Sequence, residues 1–551
     1  MINKNNEEVD KPIKSKKEEK TLAKNTFYSF LQSYSNYIFS IITVFFIARL
    51  IPKEEWDFLI LTTSLINIFS LILIFLPPSL GLSILFYASK FKALNQNNKL
   101  KSFIKNSLIL KFFFIIVIFF LSIIIFNVFI DFFSLNLKNY YYLFYLLSPL
   151  IIINGLNPIL INISQSLNLF NLNYILLVIK NILYIGGLTF LFFITDLASV
   201  YNIGLILIIS TAIPFILHFT IIVLILQFKI KKTGESIVYF KETIKKIYKY
   251  GSYLTVIDFI GRFNTEMKIQ LVGFFEVPST VVGYNIANRY NSIPTLAYAS
   301  FSRPLTIYYI RLINNNQMEQ IKKIYNLLFN YSLILFLLIT GILFFSVDIF
   351  LFILYGESYL TFSMLLKLML FLPLFSIQNT FLDSYFMASN KVKPLSVISL
   401  AIGLFKLAFF AIGIIFFDIV IAVIFAIVVN IINLLIYTLI LNKFNIKLKI
   451  KKSLIIFLSF FISVFTATIL NIFFLNDIYL IILNKLNLSF LQYFSLPGLC
   501  LYLIIFICMI IIFKIITHSD IESIESIFIK DSLPHRIIRK GLKISKKLVR
   551  A

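Results

Sequence analysis

Apolar runs of about 20 residues, each long enough to cross ~30 Å of hydrocarbon as a helix, recur along the chain between short polar segments. Fourteen of them lie near residues 26–50, 57–78, 107–130, 143–165, 173–194, 201–226, 251–275, 281–307, 325–346, 361–386, 395–416, 418–441, 453–475 and 494–515. The first follows a polar leader, residues 1–25, that is too charged for a signal peptide. No small-residue cleavage site follows that run, so it is expected to be retained. The pattern predicts an all-α polytopic membrane protein with about 14 transmembrane helices.

The charges between the runs alternate. The leader, residues 90–105, 228–249, 309–323, 389–393, 442–452 and the tail from Lys514 hold 38 Lys or Arg. The opposite set of connections holds four, Arg49, Lys53, Lys138 and Lys485, and ten acids, among them Glu54, Glu55, Asp57, Asp131, Glu276 and Glu357. The positive-inside rule then places both termini in the cytoplasm, as an even number of spans requires. Only the 168–172 connection lacks the cations expected on its side.

Composition agrees and narrows the function. With 59% hydrophobic and 14% charged residues, the 551-residue chain is not a string of soluble domains. Its formal charge of +25 is mostly a topology signal, and no nucleic-acid partner is expected. Cys500 and Cys508 make no disulfide framework, and His218, His518 and His535 are too scattered for a metal cluster. Neither a metal nor a cofactor is expected.

The longest cytoplasmic connection, 228–250, divides spans 1–6 (residues 26–227) from spans 7–12 (residues 251–441). Its Ile237, Phe240, Ile244 and Ile247 are spaced as an apolar stripe opposite Lys241, Lys245, Lys246 and Lys249, which predicts an amphipathic helix at the membrane interface. The halves echo one another. Pro52 to Phe58 and Pro278 to Tyr284 both join the first and second spans of a half, 226 residues apart, as are Lys180 and Lys406. Two parallel six-helix lobes are expected, related by an axis along the membrane normal. Spans 13 and 14 (residues 442–517) form an appended pair. The tail, 518–551, reads either as a basic amphipathic segment on anionic headgroups or as a solvated basic tail that enforces topology.

Four stretches carry a family likeness: NTFYSFLQSYSNYIFSIITVFFIARL (Asn25 to Leu50), LGLSILFYASK (Leu80 to Lys90), GFFEVPSTVVGYNIANRY (Gly273 to Tyr290, followed by Pro304) and DIFLFILYGESYL (Asp348 to Leu360). They resemble the polysaccharide (O-antigen type) flippases of the MATE-like MOP superfamily. The resemblance covers roughly residues 20–450. It implies a MATE-like fold, two six-helix lobes around a cavity that opens alternately to each side, in the plasma membrane. It also implies a substrate, a polyprenyl-(pyro)phosphate-linked oligosaccharide carried from the inner to the outer leaflet. Two positions depart from the family: Asp57 stands where Gly is usual, and Lys268 where an acid is common.

Ten charges fall inside the spans: Lys180, Arg262, Lys268, Arg289, Arg303, Lys367, Lys406, Asp258, Glu266 and Asp383. Lys111 stands at the edge of span 3 and reads as snorkelling. Each charge costs about 2.5–3.5 kcal/mol at a helix centre, so ten facing lipid would cost on the order of 25–35 kcal/mol, and most must face one another or water. Asp258, Arg262 and Glu266 follow at i, i+4 and i+8 on one face of span 7. They fit an ion-pair ladder that places Glu266 level with Arg289 and Asp258 near Arg303. They equally fit a cavity wall in which Arg262 and Arg289, with Lys406, Lys180 and Lys268, bind phosphate. Lys180 and Lys367 also fit snorkelling. Asp258, Glu266 and Asp383 are candidates for coupling transport to H+ or Na+.

Four functions compete. A lipid-linked oligosaccharide flippase accounts for the surplus of seven cations over three acids within the bilayer. A cation-coupled exporter of the same fold is expected to carry an embedded acid in the first lobe, and spans 1–6 hold none. A lipid II-type flippase is expected to carry cavity arginines in its first two spans, where this chain has only Arg49 at an outer end. A membrane enzyme would need a sizeable outer loop with acid–base residues, and the outer connections are short and contain no histidine.

Overall fold

A computed structural model describes residues 11–94, 96–129, 141–194, 197–229, 237–277, 279–299, 318–389, 392–443, 450–485 and 489–513, with single positions 305, 309, 313 and 515. The described residues are helical throughout, with no named strand. Every apolar run begins a helix or lies on one: α1 (Lys11–Leu50), α2 (Lys53–Phe75), α3 (Leu80–Ala93), α4 (Asn97–Phe129), α5 (Tyr141–Leu147), α6 (Pro149–Ser166), α7 (Phe170–Phe193), α8 (Val200–Leu224), α9 (Phe240–Phe275) and α10 (Thr280–Ala299). The series continues with α11 (Met318–Tyr355), α12 (Ser363–Met369), α13 (Ile377–Ala388), α14 (Val392–Phe416), α15 (Ile419–Lys443), α16 (Ile450–Leu470), α17 (Asn476–Lys485) and α18 (Leu496–Ile512). Among the described residues, twelve helical stretches are long and apolar enough to cross a membrane. The helices at predicted spans 7 and 8, α9 and α10, are not among the twelve; they carry Asp258, Arg262, Glu266, Lys268 and Arg289.

The helices gather into two compact units. One comprises residues 1–282 and 392–418, hence α1–α9 and α14; the other comprises 283–391 and 419–551. The 228–250 connection, where the sequence divides the halves, therefore falls inside the first unit, and α9 and α14 both pack there.

In the first unit, part of the apolar side of the 228–250 connection turns onto the protein. Val238 and Ile247 are buried with Phe91, Leu100, Phe103 and Ile104 at the ends of α3 and α4. Polar bonds fix the seat: Asn106 Nδ2 donates to the Val238 carbonyl (3.0 Å) and to Thr243 Oγ1 (3.2 Å), and the Val238 N–H donates to Ser102 Oγ (2.9 Å). Ile237 and Phe240 of the predicted stripe remain exposed. A stripe that faces lipid and one that faces protein share the same spacing, so the sequence pattern is silent on this choice.

The 168–172 connection lacks cations of its own, and Lys92 compensates from α3. Its ammonium donates to the Leu167 carbonyl at the end of α6 (2.7 Å), where cations favour the negative pole of the helix.

The two turns that echo one another along the sequence meet through a carboxylate. Asp57, 4% exposed at the start of α2, accepts from the backbone N–H of Ser279 and from that of Val282 (2.7 Å). The first N–H groups of a helix have no partner within it, and Asp57 does for α10 what a local N-cap side chain does elsewhere. Ser279 itself lies in the left-handed region, φ 80°.

In the second unit, α16 and α18 pack on α11. Tyr502 of α18 is fully buried, stacks on Phe506, and donates to the Leu337 carbonyl (2.9 Å). It occupies a notch at Gly341, where a Cβ would lie 2.0 Å from its ring. Gly341→Val is therefore expected to lower folding stability by at least about 1–3 kcal/mol, the usual cost of overpacking. Thermal unfolding in detergent checks this, and Tyr502→Phe should cost only about 0.5–1.5 kcal/mol through its lost hydrogen bond.

Candidate functional site

The sequence disperses its candidate phosphate-binding cations over four spans, and the fold brings two of them together. Ile260, Asn264 and Lys268 recur at i, i+4 and i+8 along α9, while Gly403, Lys406 and Phe410 recur at i, i+3 and i+7 along α14. Gly403 sits against Ile260 and Asn264, which brings the helices close. About one turn further on, the Lys268 ammonium lies 5.1 Å over the ring of buried Phe410 and is repelled by the ammonium of Lys406. Both lysines are half-buried. One turn below Lys268, the Asn264 amide donates to the Ile260 carbonyl (2.9 Å), and its buried Oδ1 has no partner among the described residues.

Repulsion between two cations in a medium of low dielectric costs on the order of a few kcal/mol, and an anion between them would reverse its sign. The Phe410 face attracts one ammonium and offers nothing to a phosphate, so it holds Lys268 in place without neutralising it.

Next along α9, Glu266 is gripped by amides. Asn67 of α2 donates to Glu266 Oε1 (3.0 Å), Asn154 of α6 donates to Asn67 Oδ1 (3.1 Å), and Ser64 donates to the Glu266 carbonyl (3.1 Å). Gln270 adds a bond to the Leu61 carbonyl (2.8 Å). Glu266 is thus an acceptor at the end of a directed amide chain that ties α9 to α2 and α6. Glu266 therefore takes neutral donors, and Arg262 is exposed and forms no ion pair among the described residues.

The other candidates are spread out. Lys180 is half-buried on α7 and Asp258 half-buried on α9. Arg289 is exposed on α10 with its Nε donating to Asn285 (3.0 Å). Asp383 is half-buried on α13, with the Tyr437 hydroxyl at 3.5 Å. Arg303 lies outside the described residues, as do residues 518–551 of the tail.

Two snorkelling expectations are corrected. Lys367 pairs with Asp348 (2.7 Å), which also accepts from Ser363. Lys111 is buried at 4% exposure and donates to backbone carbonyls of α2 and the turn after it. One sequence signal points to Lys111: Pro77 and Pro78 take two N–H donors out of a membrane helix, so a side chain must serve the carbonyls they leave.

A family model for polysaccharide biosynthesis proteins matches residues 22–304, just over half of the chain. No match is found among curated proteins. Among solved structures, the fold is similar to the lipid II flippase MurJ in an inward closed conformation: TM-score 0.60, 18% identity, 88% of this chain and 98% of that one. It is also similar to an inward-facing multidrug resistance MATE family transporter of the MOP superfamily: TM-score 0.62, 10% identity, 75% and 94%. A third neighbour is a MOP superfamily transporter from Pyrococcus furiosus, at TM-score 0.57, 12% identity, 78% and 95%. The fold is accordingly MATE-like, and the chain is a multi-pass membrane protein that belongs to the family of polysaccharide biosynthesis proteins.

Proposed function

We propose that the protein carries a polyprenyl-(pyro)phosphate-linked oligosaccharide from the cytoplasmic to the outer leaflet of the plasma membrane by alternating access, with both termini cytoplasmic. The observation that carries this reading is the juxtaposition of Lys268 and Lys406 on facing stripes of α9 and α14. An intramembrane pair of like charges is a liability in an empty helix interface and an asset where a pyrophosphate passes. Arg262, Lys180 and Arg289 extend the basic character along the substrate's path in this reading, and Glu266, Asp258 and Asp383 are the carboxylates available to H+ or Na+.

No residue here is assigned a bond-making step. The chain's task is to replace the hydration shell of the phosphate groups while the glycan crosses, and alternating exposure of the paired lysines accomplishes it without chemistry. Deleting the gene tests this in the cell: the lipid-linked glycan is expected to accumulate on the cytoplasmic face, and normal outward display of the glycan would sink the proposal.

A further inference from the structure

The second predicted span is interrupted. Helix α2 ends at Phe75, Leu76 is extended (φ −121°, ψ 92°), Pro77 and Pro78 follow, Ser79 is left-handed (φ 36°), and α3 begins at Leu80. In an unbroken helix the carbonyls of Leu73 and Ile74 would accept from the N–H groups of residues 77 and 78, and two prolines remove both donors. The Ile74 carbonyl is served by the Ser79 N–H (3.0 Å). The Leu73 carbonyl is served by the Lys111 ammonium of α4, which also reaches the Leu76 carbonyl (3.4 Å).

Lys111 forms no ion pair among the described residues. What stabilises its charge is the carbonyl end of α2, the negative pole of that helix. Unwound carbonyls at interrupted membrane helices coordinate mobile cations in other transporters, and here a side chain brings the cation with it. The interruption is also where α9 is seated. A Cβ on Gly251 would lie 2.1 Å from the Pro78 carbonyl and 3.1 Å from Ser83 Oγ, so the α9 backbone rests directly on the break. Three buried hydroxyls around it, Ser79, Ser83 and, one turn before Lys111 on α4, Ser107, have no partner among the described residues. Spare acceptors and donors of this kind let a joint exchange hydrogen bonds as it bends, which a saturated helix does not allow.

We propose that Lys111 is a positioning residue for transport. It is a tethered cation that holds the 76–79 interruption open as the joint on which α9, with Lys268 about 25 Å further along its axis at 1.5 Å per residue, is seated. The inference rests on the flippase reading through its transport readout, while its folding readout stands apart from it.

The deciding variant is the double substitution Pro77→Ala with Lys111→Met. The alanine restores an N–H for the Leu73 carbonyl, so the folded state no longer needs the ammonium there, but the helix now tends to run straight. Purified protein is reconstituted in liposomes with a fluorescent polyprenyl-pyrophosphate-linked oligosaccharide as probe. The double variant is expected to melt near the wild-type temperature and to translocate the probe at least tenfold more slowly. Translocation at the wild-type rate would show that Lys111 merely satisfies a carbonyl and would overturn the proposal. Should that variant fail to fold, Lys111→Gln, which keeps a donor and loses the charge, decides in the same way. An at least tenfold loss at unchanged melting temperature upholds the inference, and wild-type transport overturns it. If wild-type protein moves no probe, the flippase reading fails instead.

Discussion

Replacing Lys268 and Lys406 together by glutamine is expected to lower transport of a lipid-linked pyrophosphate by at least a hundredfold while leaving thermal stability unchanged or raised. The two ammonium groups repel one another across α9 and α14, and Lys268 rests on the ring of Phe410. Neutralising them relieves that repulsion. A bound phosphate, in contrast, loses two charge-assisted hydrogen bonds of about 1.5–3 kcal/mol each, roughly tenfold to more than a hundredfold apiece in affinity. Opposite movements of stability and transport are the signature of a binding site. Transport and melting temperature falling in parallel would mark the lysines as structural.

The second large effect concerns Asp57. Asp57→Ala should destabilise the protein by about 2–6 kcal/mol, because it strands the buried N–H groups of Ser279 and Val282 at about 1–3 kcal/mol each. Asp57→Asn should cost less, since its amide oxygen still accepts one of the two bonds while its NH2 group turns a donor towards the other. Thermal unfolding in detergent separates the series, and a melting temperature for Asp57→Ala equal to wild type would refute the capping role.

The spans were legible from apolar run length, and the echo of the two turns from the 226-residue spacing of Pro52 and Pro278. Both signals are local in sequence or repeated at fixed separation. The apolar residues of 228–250 gave their spacing and not their partner: Val238 and Ile247 bury against α3 and α4 because α9 continues unbroken from Phe240. The register of Asp258, Arg262 and Glu266 on one face of α9 is legible in the sequence, but Asn67 and Asn154 come from α2 and α6, where neutral amides leave no charge signal. Lys268 and Lys406 were both visible as intramembrane cations, but their juxtaposition depends on α14 packing beside α9, which no periodicity encodes. A lysine near a helix end usually snorkels, and only its position opposite two prolines marks Lys111 as different.

The most direct measurement of the central claim is transbilayer movement of a fluorescent polyprenyl-pyrophosphate-linked oligosaccharide in sealed liposomes, read by its accessibility to a membrane-impermeant quencher. Vesicles containing the wild-type protein are expected to expose probe from the far leaflet with time, and vesicles containing the Lys268→Gln, Lys406→Gln protein are expected to match protein-free vesicles. Wild-type vesicles indistinguishable from protein-free ones, or a double variant as active as wild type, would contradict the account.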